Sequence, residues 1–249
     1  LEKCLDKVKE MINWDEKYPC KDLGNGKVRS VGLAVAMQGS AISHVDVASV
    51  TIKVNDDGFY SMMIGATDMG TGCDTILAQM AADCLDTHVD NIVVYGVDTD
   101  ISPYDSGSYA SSTTYLTGNA TIKTCQMLRE KIIAAGAEML EIDIEDADFD
   151  GEKVYSVKEE KSITLKDIAN NVMCYSNHTL TATAKEKTPV SPPPYMAGAV
   201  EIELDKETGH VEIIDYAACV DCGTVINPAL ATVQTEGGLV QGIGMALYE

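Results

Sequence analysis

A β-hairpin followed by a glycine-rich loop and then a helix is predicted twice along this chain of 249 residues. The first occurrence covers about residues 47–86, and its turn is Asn55–Gly58, where an Asp-Gly pair favours a tight reversal between two apolar strands. The second occurrence covers about residues 199–247, with its turn at Asp205–Gly209. Because hairpins alternate with helices, we predict an α+β fold of β-hairpins and mixed sheets packed with helices, in two subdomains.

A proline-rich segment at residues 186–195 separates the two occurrences. Proline lacks the N–H group and the freedom in φ that regular structure needs, so this segment cannot continue a helix or a central strand. We therefore predict a division into residues 1–188 and residues 189–249. The other predictions are a polar loop at 14–27, helices at 1–13, 76–85, 118–140 and 165–173, and strands at 31–37, 91–95 and 179–185.

The net charge of −21 limits the partners that the chain can bind. Nucleic acids and anionic membrane surfaces are bound chiefly through lysine and arginine, so we expect neither partner. No apolar run approaches the roughly 18 residues that span a bilayer. The chain is charged from Glu2 onward, so we predict a cytoplasmic protein without a signal peptide. The acidic loop 98–107 lacks the glycine and the closing glutamate of a calcium loop, and it is predicted to be solvated.

The eight cysteines are scattered along the chain, and in a chain of this size we expect reduced thiols. Cys219 and Cys222 form a CxxC pair without a second such pair, so we do not predict a zinc site. A redox pair of the thioredoxin type is also disfavoured, because this stretch leads into Asn227-Pro228 rather than directly into a helix.

A ligand site is indicated by the polar loop Gly65–Thr75, which lies between an apolar strand and a helix. Gly70 and Gly72 can take backbone angles closed to other residues, so successive N–H groups can converge on an anion at the helix N-terminus. The loop is not a P-loop, because no Gly-Lys-Ser/Thr follows. The alternative is that these glycines serve backbone geometry alone.

Two further stretches have similar chemistry. Tyr109–Tyr115 is a run of small hydroxyl residues before a helix, and Val220–Pro228 with Gln234–Gly244 is rich in glycine and amides. The acidic chain has 18 lysines and arginines, so a bound phosphate would be held by N–H groups and hydroxyls. We predict that these stretches and the loop at Gly70 surround one ligand.

Taken together, these motifs resemble the molybdopterin-binding subunit of the xanthine dehydrogenase and aldehyde oxidase family of molybdenum hydroxylases. Members carry a Met-Gly-Gln-Gly loop, an Ala-Ser-x-Ser/Thr-Thr loop and a Gly/Cys-x-x-Asn-Pro segment followed by Gln-x-Glu-Gly, in this order. This chain has Thr71 where many members have glutamine, which leaves the substrate open. The expected cofactor contacts are Gln38, Gly39, Met69, Gly70, Thr71, Gly72, Ala110, Ser111, Ser112, Thr113, Thr114 and Gln234.

The resemblance implies a molybdenum–pterin cofactor, either molybdopterin or its dinucleotide form, with iron–sulfur clusters and FAD on other domains or subunits. It implies hydroxylation of a purine, an N-heterocycle or an aldehyde with oxygen from water, and it is compatible with a dimeric assembly. Residues 1–188 would form a first cofactor-binding subdomain and residues 189–249 the start of a second. The family's catalytic glutamate belongs downstream of Glu249, so Glu236 is not that base and the isolated chain is expected to be inactive.

Two other classes of function stay open beside this one. The first is a non-catalytic binding or scaffold module with structural glycine loops. The second is a dinucleotide-binding domain, which is disfavoured because the chain lacks a G-x-G-x-x-G fingerprint and has hairpins in place of β-α-β crossovers.

Overall fold

The computed structural model describes residues 1–176 and 178–249 and confirms the predicted α+β fold. The chain forms two compact units, which we call unit 1 (Leu1–Gly39 with Pro192–Glu249) and unit 2 (Ser40–Ser191). The α-helices are α1 Glu2–Ile12, α2 Trp14–Lys17, α3 Cys73–Cys84, α4 Thr113–Leu140, α5 Leu165–Tyr175 and α6 Pro228–Leu247. The strands are β1 Cys20–Gly24, β2 Lys27–Met37, β3 Val47–Val54, β4 Tyr60–Ile64, β5 Ile92–Tyr95, β6 Ala147–Phe149, β7 Lys153–Ser156, β8 Ser162–Thr164, β9 Thr181–Lys187, β10 Tyr195–Asp205 and β11 Val211–Asp221.

Unit 1 is an antiparallel sheet in the order β1-β2-β10-β11 with α1 packed on it. Helix α1 buries one stripe, Cys4, Val8 and Ile12, at the four-residue spacing that keeps side chains on one helix face. The stripe contacts Val31 of β2 and small residues of β10 and β11, including Ala197 and Ala217. Their small size lets the helix lie close to the sheet.

The central pairing of unit 1 joins two segments that are far apart in sequence. Strand β2 pairs with β10 over its whole length, from Met37 opposite Tyr195 to Lys27 opposite Asp205. Residues 1–39 therefore pack with the segment that begins at Pro192 rather than with the residues that follow them. The packing units thus differ at the N-terminal end from the ranges 1–188 and 189–249, whose roles as cofactor-binding subdomains stay a prediction.

Unit 2 is built on a mixed sheet in the order β5-β4-β3-β9. The predicted hairpin is confirmed, with β3 and β4 antiparallel across the Asp57-Gly58 turn. Strand β5 is parallel to β4, and α3 lies in the connection between them. The long helix α4 packs against β3 and β9, where the Thr124 hydroxyl donates to the Val50 carbonyl at 3.1 Å. A small sheet, β6-β7-β8, follows α4.

Three boundaries differ from the sequence predictions. The loop predicted at 14–27 contains the one-turn helix α2 and strand β1, which pairs with β2. The glycine-rich stretch 234–244 is helical, because Asn227 caps the N-terminus of α6 and Pro228 opens its first turn. Helix α4 begins at Thr113 rather than at Gly118. Within the described residues, no helix combines the length and the apolar character needed to cross a bilayer.

Candidate functional site

The predicted cofactor contacts are divided between the two units. Unit 2 holds Met69, Gly70, Thr71 and Gly72 and the run Ala110, Ser111, Ser112, Thr113 and Thr114, whereas unit 1 holds Gln38, Gly39 and Gln234. Gln38 is exposed just after β2, and Gln234 is exposed on α6. Convergence of all these residues on one pocket stays a prediction.

The loop before α3 has the predicted glycine conformation. Gly70 and Gly72 have φ of 101° and 77°, a region that side chains other than glycine rarely adopt. The N–H groups of Gly70 and Gly72 converge on one acceptor, the Asp68 carboxylate, at 2.9 and 3.2 Å. The N–H group of Asp74 reaches the same carboxylate at 3.4 Å. The Asp68 carboxylate thus accepts the hydrogen bonds that the sequence analysis expected a bound anion to accept.

The hydrogen bonds to Asp68 affect the pKa values of the acidic groups around this loop. Burial raises the pKa of Asp68, but hydrogen bonds from the loop N–H groups outweigh burial and leave the pKa below its usual value. Burial and the nearby Asp68 charge raise the pKa of Asp74. Burial, with the charges of Asp74 and Asp68, also raises the pKa of the Cys73 thiol to about 12. Cys73 is therefore a neutral thiol, a poor metal ligand, although its sulfur lies within 4.8 Å of both carboxylates.

The hydroxyl run has a backbone conformation that the sequence did not indicate. Ala110 and Ser111 are both left-handed, with φ of 50° and 54°. Each such residue costs about 1–2 kcal/mol, so neighbouring contacts must hold the run in place. The Ala110 carbonyl accepts from the Ala41 N–H group at 2.9 Å. Consecutive strained residues of this kind are concentrated at functional sites.

Helix α4 begins inside the hydroxyl run. Ser112 is the N-cap residue, and its side chain makes no capping bond within the part of the chain that the structure describes. Its buried hydroxyl donates instead to the Gly107 carbonyl at 3.3 Å. Ser111 and Thr114 are exposed, and Thr113 is half-buried. The N-terminus of this helix of 28 residues is thus surrounded by hydroxyl groups. Helix N-termini of this kind are suitable binding sites for anions.

The two loops lie side by side in unit 2. The Thr67 N–H group donates to the Ser108 hydroxyl at 2.9 Å. Gly65 lies against the backbone of residues 103–105, where an added Cβ would come within 2.5 Å of the Asp105 Cβ. Glycine is required there because two backbone segments approach each other closely.

Two carboxylates that sequence reasoning missed anchor the segment before α4. Asp46, which is 1% exposed, accepts from the Ile42 N–H group at 2.7 Å and from the Tyr109 hydroxyl at 2.9 Å. Asp105 accepts from the Gly107 N–H group at 2.9 Å and from the Thr117 hydroxyl at 3.1 Å. The expectation that loop 98–107 is solvated is therefore wrong for Asp105, which is drawn inward by these donors.

Replacing Asp105 with asparagine is expected to preserve the fold and to change how stability depends on pH. Burial and the Asp46 charge raise the pKa of Asp105 against the two hydrogen bonds that lower it. The folded state therefore holds this proton more tightly, and wild-type stability falls as pH rises from about 4 through the raised pKa. The asparagine side chain is uncharged, and its amide can accept a hydrogen bond from the Gly107 N–H group and donate one to the Thr117 hydroxyl.

Urea unfolding at pH 4 and at pH 7 checks this prediction. The stability of Asp105→Asn relative to wild type should be higher at pH 7 than at pH 4. An equal difference at both pH values would contradict the raised pKa.

Comparisons with known proteins agree with the sequence resemblance. Residues 7–249 match the family model described as a molybdopterin cofactor-binding domain. The chain is 34% identical over 251 residues to the probable hypoxanthine oxidase XdhD of Escherichia coli, covering 100% of this chain and 26% of that protein. It is 31% identical over 257 residues to the putative xanthine dehydrogenase molybdenum-binding subunit XdhA of the same species, covering 100% of this chain and 34% of that protein.

A solved structure shows the same fold. The crystal structure of quinoline 2-oxidoreductase from Pseudomonas putida matches with a TM-score of 0.82 at 23% sequence identity, over 97% of this chain and 33% of that one. The chain thus spans about a quarter to a third of the length of the proteins it matches.

Proposed function

Because this chain belongs to the molybdopterin cofactor-binding domain family of xanthine dehydrogenase-like molybdenum hydroxylases, we propose that unit 2 holds the pterin cofactor at the start of α4. The observation that carries this proposal is the N-terminus of α4 at Thr113, where the side chains of Ser111 and Thr114 are exposed and that of Thr113 is half-buried. These groups would donate to the cofactor's phosphate.

The donor set fits a phosphate held without cations. First-turn N–H groups and hydroxyls are hydrogen-bond donors, and the helix dipole favours negative charge at this end. The left-handed backbone at Ala110 and Ser111 fixes the direction in which the Ser111 side chain leaves the chain. The segment is held by Asp46 through Tyr109, so its geometry is set before a ligand arrives.

We assign the loop at Gly70 to the pterin ring rather than to the phosphate. Its N–H groups donate to Asp68, and the charges of Asp68 and Asp74 would repel a phosphate. A pterin ring is neutral and presents both donors and acceptors along its edge. The exposed Met69 and Thr71 side chains are the groups of this loop that would meet it.

The bound cofactor would supply the redox-active molybdenum, and this chain would bind and orient it. We propose that the whole protein hydroxylates a purine, an N-heterocycle or an aldehyde, with the shorter Thr71 altering the substrate side of the pocket. The relative XdhA is named as a molybdenum-binding subunit, which supports an assembly with further subunits, and we propose that the iron–sulfur clusters and the flavin lie on other domains or chains. No residue of this chain is assigned as the catalytic base.

The double variant Ser111→Ala with Thr113→Ala tests the phosphate site in the whole purified protein. Each hydrogen bond to a charged group contributes roughly 1.5–3 kcal/mol, so loss of two hydroxyls should weaken cofactor retention by about two orders of magnitude or more. The measurement is bound molybdenum per protein molecule after dialysis, together with the circular dichroism spectrum.

A matched control removes two other hydroxyls. Thr51 and Thr183 are bonded to each other at 2.9 Å on the exposed face of the β3–β9 pair. Thr51→Ala with Thr183→Ala should retain wild-type molybdenum. If the test variant also keeps its molybdenum, the hydroxyl run is a structural helix start and the proposed site is wrong.

A further inference from the structure

The sheet of unit 1 has the same plan as the sheet of unit 2 except at one edge. In unit 2, the hairpin β3–β4 is followed by helix α3 and then by β5, which lies parallel to β4 on its outer side. In unit 1, the hairpin β10–β11 is followed in the same way by helix α6. No strand among residues 1–176 and 178–249 pairs with the outer edge of β11, which is the edge that faces away from β10. The place that β5 occupies in unit 2 is thus open in unit 1.

The agreement between the two units extends to the other side of each hairpin. Strand β9 is antiparallel to β3, and β2 is antiparallel to β10. A helix packs on each sheet, with α4 against β3 and β9 and with α1 against β10 and β11. The two sheets therefore correspond strand by strand from β4 to β9 and from β11 to β2. Continued by one place, this correspondence predicts a strand beyond β11.

The burial of the second hairpin strand shows the effect of the open edge. Strand β4 has a neighbour on each side and buries four of its five residues. Strand β11 has a neighbour on one side, and Ala217 is its one buried residue. The apolar side chains of Ile214, Tyr216 and Val220 are exposed. Apolar residues along an unpaired edge favour the addition of a further strand.

Helix α6 lacks the packing that its counterpart has. Helix α3 packs against β5 and α4, and six of its twelve residues are buried. The structure describes all 20 residues of α6, and none of them is buried. Val233 and Val240 lie on the same side of α6, two turns apart, and they are 59% and 68% exposed. Glu236 is the single charged residue of this helix, and a helix so apolar normally packs against other elements.

The length of α6 suits a connection to a parallel strand. Such a strand needs a crossover that carries the chain back along the sheet, and the crossover is usually a helix, as α3 is between β4 and β5. Helix α6 has 20 residues and is about 30 Å long. The 11 residues of β11 span about 36 Å. The helix can therefore lie along most of β11.

We propose that the outer edge of β11 takes up a further strand, parallel to β11, from the part of the whole protein that lies outside residues 1–249. The relatives XdhD and XdhA are long enough to supply one, because this chain covers 26% and 34% of them. The added strand lies along residues 215–221, where β11 pairs regularly with β10 up to the bulge beside Ile214. Helix α6 packs on the added strand through the side that holds Val233 and Val240.

A second copy of this chain is a less suitable partner for the same edge. Strand β11 has Glu212, Asp215 and Asp221 and contains no lysine or arginine. If the β11 strands of two copies paired around a two-fold axis, these carboxylates would lie close to one another across the new pairing. Like charges placed opposite each other in a sheet are destabilising. The charges on β11 therefore favour a strand from elsewhere in the same protein.

Hydrogen–deuterium exchange of the whole purified protein tests the pairing without a substitution. In an edge strand about every second N–H group points away from the sheet and exchanges freely. With the added strand in place, nearly all N–H groups of residues 215–221 should exchange slowly, as should those of β4, which is paired on both sides. Fast exchange of about half of the N–H groups at 215–221 would show an open edge and overturn the proposal.

A photo-crosslinker identifies the occupant of the edge. The amino acid p-benzoylphenylalanine replaces Tyr216 in the whole protein, where an aromatic side chain is already exposed. After irradiation, mass spectrometry of the digest should find residue 216 joined to a peptide from outside residues 1–249, and the mass of the denatured chain should not double. The matched control places the same probe at Met63 of β4, opposite Tyr95, and should give a link to β5.

The other outcomes of the crosslinking experiment contradict the proposal. A link from residue 216 to a second copy or to another subunit would show a different occupant. Absence of any link to a peptide from outside residues 1–249, while the Met63 probe reports β5, would show that no strand is added. Neither result bears on the cofactor site, which we place in unit 2 and which is tested separately by the retention of molybdenum.

Discussion

Replacing Gly65 with alanine is expected to lower the free energy of unfolding by about 3 kcal/mol and to separate the two loops of unit 2. The new Cβ would meet the Pro103 carbonyl and the Asp105 Cβ, the latter at 2.5 Å, and neither of these groups is the end of a flexible side chain. The backbone of residues 103–105 must therefore move. Urea unfolding of the purified variant measures the loss of stability, and bound molybdenum should fall with it.

A second glycine serves as the control for this substitution. Gly238 lies inside α6, and an added Cβ would have no atom within 4 Å among the described residues. Gly238→Ala is expected to leave stability unchanged or to raise it by up to about 1 kcal/mol, because alanine favours the helix. If both variants unfold at the same urea concentration, the loops do not approach each other closely at Gly65.

Replacing Asp46 with alanine is expected to cost about 3 kcal/mol, because two donors lose a charged acceptor in a buried place. The Ile42 N–H group and the Tyr109 hydroxyl both point to this carboxylate. Without it, Tyr109 releases the start of the hydroxyl run, so the variant should also retain less molybdenum than wild type. Urea unfolding and metal content measure the two effects in one preparation.

The variant Tyr109→Phe measures how much of the stability lost in Asp46→Ala comes from the hydrogen bond of Tyr109. It removes one hydrogen bond and keeps the bond from Ile42, so it should cost about 1 kcal/mol. If Tyr109→Phe loses as much stability as Asp46→Ala, the Tyr109 hydrogen bond accounts for the whole contribution of Asp46. No loss in either variant would show that Asp46 does not anchor this segment.

The sequence predicted those elements whose signals are local. The Asp57-Gly58 turn specifies its own hairpin. The apolar spacing of residues 1–13 predicts helix α1 and the burial of Val8 and Ile12, whereas Leu1 and Met11 of the same spacing are exposed. The glycines at 70 and 72 have the positive φ that their position before a helix indicated. Each of these features depends on residues that are close to one another in the sequence.

Features that depend on distant residues could not be read in this way. Asp105 belongs to an acidic loop in sequence, and its burial comes from Thr117 and from the packing of Gly65. The Gly70 and Gly72 N–H groups donate to Asp68. In the sequence, an aspartate that accepts these bonds looks the same as an aspartate that points into solvent. The short strand β1 exists because β2 offers it an edge to pair with.

The interrupted sequence of unit 1 affects the order in which the chain can be folded during synthesis. Unit 2 is one continuous stretch, so all its strands are synthesised before β10. Strand β2 must wait for β10, since Lys27 pairs with Asp205 and Met37 with Tyr195. During this interval the edge of β2 that pairs with β10 has no partner, and pairing with a strand of another nascent chain competes with the native partner.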